Sequence, residues 1–181
     1  AAYRKKEFEE QGGFDTRFPT ASGEDADLSY AMSNAGRKLV FNPNAIVYHQ
    51  HPQTLKRYFR QKFGRAYWRN LLYKKNMGKI IKDSYTPQLL KIQMGLLGLV
   101  IFLILIGALT TSRLVLEIGV GGILLLGASY IPFTTQAVKK DYIVGLVSPF
   151  LLTVRSFALL CGLGIGFIKE ILLPRFFPMT L

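Results

Sequence analysis

The chain holds two long runs without a single charge. Met94 to Ser112 is 19 residues dense in Leu and Ile, and Ile118 to Val138 is 21 residues. As a helix the first run spans roughly 28 Å, the thickness of a bilayer's hydrocarbon. Only Arg113–Glu117 separates the two, so a helical hairpin is expected. A third apolar stretch, Tyr142 to Ile168, is interrupted by Pro149 and Arg155. Buried helices of a soluble core are the alternative, but uncharged runs this long are rare outside bilayers. Residues 92–181 are therefore expected to form a membrane region of two or three helices, at about 94–112, 118–138 and 142–168.

Charge sharpens that division. The 181 residues are 50% apolar and carry a net charge of +12. That is too much buriable material for a disordered chain, and a single cysteine, Cys161, excludes a disulfide scaffold. Residues 1–51 carry 6 basic and 7 acidic groups. Residues 52–91 carry 11 basic groups against one acid, Asp83, a net of +10. A basic belt just before an apolar half suits an anionic lipid surface, and no nucleic-acid recognition motif accompanies it. By the positive-inside bias the belt lies on the cytoplasmic side, with Lys139 and Lys140 returning there after the second helix. Arg155, at bilayer depth if the third stretch spans, is read either as a contact for a lipid phosphate or as snorkelling.

The first half reads as mixed α and β. Arg4 to Gln11 predicts a short helix stopped by Gly12-Gly13, and Glu24 to Ala35 a second, with Leu28 and Met32 on one face and Gly36 as its stop. Leu39-Val40-Phe41 and Ala45 to Tyr48 predict two short strands around Asn42-Pro43-Asn44. Thr54 can cap a long helix to about Asn76. Leu55, Phe59, Phe63 and Tyr67 form its apolar stripe, and Lys56, Arg57, Arg60, Lys62, Arg65 and Arg69 take most other positions, the pattern of an interfacial helix. The organisation expected is thus 1–53, 54–91 and 92–181.

Two places could carry chemistry. In Gly23-Glu24-Asp25-Ala26-Asp27-Leu28 the adjacent carboxylates point in different directions. One could be held by backbone amides while the other accepts a proton, although a plain acidic helix cap has the same composition. His49, just past the second expected strand, could bind a divalent metal or a phosphate, or be structural. His51 would share its face only if the strand continued past Pro52.

The order of the pieces is informative. Tyr3-Arg4-Lys5, Gly12-Gly13-Phe14-Asp15 with Phe18, Gly23 to Leu28, Gly36, Asn42-Pro43 with Ala45 and Val47, then His49: this string resembles the C-terminal half of a family 2 glycosyltransferase domain of the GT-A type, over about residues 1–70. The resemblance implies an incomplete α/β GT-A-like domain followed by an α-helical membrane region. It also implies that the nucleotide-binding half, with the Asp-x-Asp segment that binds most of a Mg or Mn ion, lies outside the chain, which would be inactive alone. Asp25 would be the general base of an inverting transfer from a nucleotide-sugar donor, and Glu24 would position the acceptor. Asp27, Arg65 and Arg69 would contact substrate, and His49 would join the metal. Gln61 to Trp68 does not reproduce the Gln-x-x-Arg-Trp signature of processive synthases, so a single transfer is implied. The acceptor would be a glycan or lipid-linked hydroxyl for cell-envelope synthesis, and the enzyme a multi-pass protein of the plasma membrane with its catalytic part cytoplasmic. The alternative is a non-enzymatic membrane protein whose basic helix docks to anionic lipid or a partner.

Overall fold

The computed structural model describes residues 2–18, 22–79 and 86–169. It divides into two compact units, residues 1–82 with 162–181, and 83–161.

In the first unit α1 (Lys5–Glu10) ends at Gly12 and Gly13, both with φ near +75° (78° and 73°). Such a left-handed pair costs an L side chain dearly and lets the Gly13 N–H return to the Phe8 carbonyl at 3.0 Å. Phe14 packs edge to face on both Tyr3 and Phe8 around this turn, and Tyr3 and Phe8 meet at a tilt. α2 (Glu24–Asn34) starts with three acids in its first turn, where the free amides favour them. It buries Ala26, Leu28, Tyr30 and Met32. α3 (Leu55–Lys75) is capped by Thr54, whose Oγ1 accepts the Arg57 N–H at 3.3 Å, and runs without a break to Lys75. Phe18, Ala26 and Tyr30 form a core with Leu71 and Leu72 of α3, and Trp68 packs against it. The last turn of α6 (Tyr142–Phe167) also meets α3 in this unit. A Cβ on Gly162 would strike the Phe63 carbonyl, and one on Gly166 the Asn70 amide, so only glycine permits this approach. Asn70 Nδ2 donates to the Leu163 carbonyl at 3.1 Å across the contact.

The expected strands are not there. Residues 39–41 and 45–48 are extended coil, and among the described residues no strand forms. The α/β, GT-A-like expectation is thereby overturned: the described chain is helices and coil. The β-propensity of Val, Phe, Ile and Tyr reflects packing on a pleated, half-buried surface, not a backbone preference. Here Phe41 is 88% and Tyr48 97% exposed, with no neighbouring strand to complete a ladder. The turn between the runs does form, with the Asn44 N–H on Asn42 Oδ1 at 3.0 Å and the Ala45 N–H on the Asn42 carbonyl at 3.2 Å.

The second unit contains α4 (Gln88–Leu109), α5 (Arg113–Lys140) and most of α6. All three helices are long and apolar enough to cross a membrane. Leu97, Leu126, Tyr130 and Leu152 form the core of this unit. Pro149 does not break α6. Its missing N–H leaves the Gly145 carbonyl without an intrahelical donor, and the Ser148 hydroxyl supplies one at 2.8 Å. Arg155 lies near the middle of α6 and donates from Nη2 to Gln93 Oε1 at 3.1 Å, while Gln93 Nε2 donates to the Ser129 carbonyl at 3.2 Å. The arginine thus points inward to α4.

Candidate functional site

Gly23 opens the acidic turn in close contact with the core. A Cβ there would sit 3.2 Å from the Phe18 ring. That close approach pins the start of α2 to the core. Glu24 then folds back on its own turn, and its Oε2 accepts the backbone N–H of Ser22 at 2.8 Å and of Gly23 at 3.0 Å. Partial burial pushes its carboxyl up, but the amides of Gly23 and Ser22 outweigh burial and hold it below its ordinary value. Glu24 is therefore a fixed, ionised clamp.

Asp25 is exposed. Its Oδ1 accepts the Ala26 N–H at 2.8 Å, and Oδ2 has no bond among the described residues. Both carboxylates thus accept backbone amides, Glu24 two and Asp25 one, and Asp25 is the more exposed of the pair.

Asp27 has a different setting. Two residues apart on a helix means a rotation of about 200°, so Asp25 and Asp27 cannot grip one ion together. Asp27 is buried, and its Oδ2 meets Lys75 Nζ at 2.5 Å. The same ammonium meets Asp15 Oδ2 at 2.7 Å, and Arg17 closes on Asp15 through Nε and Nη2. The Arg17 guanidinium, aided by Lys75, holds the Asp15 carboxyl well below the usual carboxylate range despite burial. Burial would lower the Lys75 ammonium, yet Asp15 and Asp27 raise it. This four-residue cluster ties α2 to the end of α3. Its members Asp15, Arg17 and Lys75 carry no spacing signal, because the contact joins residues 60 and 48 positions apart.

His49 is exposed in coil. Its Nδ1 lies 3.0 Å from the Gln50 carbonyl, which can only accept, so Nδ1 is the donor there and Nε2 is the ring nitrogen left for a ligand. Its ring stacks with His51 at 6.0 Å between centroids without any strand. One imidazole lone pair fits a single position on a divalent ion. Among the described residues no group of three or more His, Cys, Asp or Glu side chains gathers as a metal site. Arg65 and Arg69 lie one turn apart on α3, Arg65 exposed and Arg69 half-buried. None of Glu24, Asp25 and His49 lines the cavity beside the start of α3.

Residues 1–67 match the family model described as "Glycosyltransferase like family 2". No curated protein and no solved structure matches the chain.

Proposed function

We propose that this glycosyltransferase-like segment is the acceptor-side part of an enzyme that moves a sugar from a nucleotide-sugar donor to a hydroxyl acceptor at a membrane, with α4, α5 and α6 as its anchor. The observation that carries the reading is the unequal pair at the start of α2, within the matched residues: Glu24 locked by two backbone amides, Asp25 exposed beside it. In the proposed step the acceptor oxygen attacks the anomeric carbon, the bond from that carbon to the diphosphate breaks, and the acceptor proton passes to Asp25. One displacement inverts the configuration. In this reading Glu24, held by its two amides, orients the acceptor, and Arg65 and Arg69 meet substrate anions. His49 would hold one position of a Mg or Mn ion, which when bound neutralises charge on a departing diphosphate. The donor-binding half and the other metal ligands are proposed to lie outside these residues. A lipid-linked or glycan acceptor for cell-envelope synthesis suits a site tethered at a bilayer, and the basic belt supports a cytoplasmic position for that site.

The test is sugar-nucleotide turnover by the complete enzyme carrying this segment. Asp25→Asn should lower turnover about 10²–10⁴-fold while donor binding holds. Near-normal turnover in that variant removes Asp25 from the chemistry.

A further inference from the structure

A cavity of about 470 Å³ opens beside the first two turns of α3. Its chemistry is one-sided. Gln50, His51 and Gln53 line it from the incoming chain, and Arg57, Arg60 and Gln61 from the helix. Positions 57, 60 and 61 stand three and four residues apart, so they share one helix face. Two arginines, a histidine and three glutamines thus line the space, and no Asp or Glu does. The sequence explains why. From Leu28 to Lys82 the chain has twelve basic residues and not one Asp or Glu. No ion pair among the described residues engages Arg57 or Arg60. The helix end itself contributes less than the side chains do, because Thr54 already takes the Arg57 N–H.

We infer that this cavity binds a phosphate group. A lone carboxylate would use one guanidinium fork and leave the second cation unmatched. A phosphomonoester or diphosphate offers several oxygens and about two charges, enough for both forks and the amides at once. The volume accommodates such a group with part of what it is attached to. The phosphate comes either from the headgroup of an anionic lipid or from a free phosphoester. The inference stands apart from the transfer chemistry: its failure leaves the roles proposed for Asp25 and Glu24 untouched, because neither lines the cavity.

The experiment uses the whole 181-residue chain in a non-ionic detergent, titrated calorimetrically with two probes. One is pyrophosphate; the other is dihexanoyl phosphatidic acid below its micellar concentration. At least one should saturate at a single site. Arg57→Gln with Arg60→Gln should weaken that binding at least about tenfold, since each charged hydrogen bond is worth a large part of such a factor. Lys56→Gln with Lys74→Gln removes the same charge from α3 outside the cavity and should change it less than about threefold. If the double variant loses helicity, Arg60→Gln alone replaces it. Preference for the lipid probe assigns the headgroup, and equal or stronger binding of pyrophosphate assigns a free phosphoester. Equal weakening by both variant pairs, or no saturable binding of either probe, overturns the inference.

Discussion

The two units put their residues in opposite places. The first exposes large apolar side chains, including Leu39, Val40, Phe41, Ile46, Val47 and Tyr48, and draws its charged residues into a cluster at the α2–α3 junction. The second turns Leu, Ile, Val and Phe outward along most of three helices and buries Gln93, Ser148 and Ser156. In water the first pattern wastes apolar burial, and its small core must be helped by ion pairing. In hydrocarbon the second pattern suits its solvent, because lipid solvates the outer face while Gln93 and Ser148 find polar partners inside, although the buried Ser156 hydroxyl has none among the described residues. The contrast is between two solvents rather than between a good and a poor core.

Substitutions can probe that contrast, and Trp68 makes the readout local. It is the single tryptophan, and it packs on the core of the first unit. Leu72 is 1% exposed there. Leu72→Ala should cost about 3 kcal/mol, seen as an earlier Trp68 fluorescence transition in denaturant. Lys75→Ala, which strands Asp27 without its cation, should cost about 2 kcal/mol; the value for a buried pair is reduced because Lys75 is one-third exposed. The pH dependence has a definite sign. Asp15 is held below its ordinary 3.8, so its contribution is full above that value and disappears as pH falls beneath it. Lys75 is raised above its ordinary 10.5, so its contribution is full below that value and disappears on the alkaline side. The Trp68 transition should thus be flat from about pH 5 to 10, and Asp15→Asn should blunt its acid limb.

In the second unit, Gln93→Leu removes the acceptor for Arg155 and the donor to Ser129. It should cost about 1 kcal/mol by circular dichroism in detergent, since interhelical polar bonds in membranes are modest. A cost of 3 kcal/mol or more would mean that this seam, not apolar packing, holds the helices together. Smallest of all, Phe41→Ser should shift the Trp68 transition by less than about 0.5 kcal/mol, because an 88% exposed side chain has little burial to lose. A larger shift would show Phe41 packing in solution.

The helices of both units were legible residue by residue. Thr54 as a cap and Gly12-Gly13 as a stop act over one or two turns and the uncharged runs over about five or six, and the helices formed, although α4 and α5 start at Gln88 and Arg113, ahead of the runs themselves. That a carboxylate at the start of α2 folds back onto backbone amides was also readable, because a helix N-terminus favours it locally. The strands were not, since a strand is a relation between segments and no partner ladder forms among the described residues. Nor was the engagement of Asp27, which depends on Lys75 arriving from 48 positions away.

Local sequence by itself determined where this chain is helical, which stretches prefer hydrocarbon and where its positive charge gathers. Those properties arise from hydrogen bonds within a turn and from transfer energies that add along the chain. Only tertiary structure decided that Asp27 is spoken for by Lys75 while Asp25 is open, that Arg155 turns inward to Gln93, and that Arg57 and Arg60 line a cavity with His51. Each of those depends on how segments meet, and contacts between distant parts of a chain leave no period in its sequence.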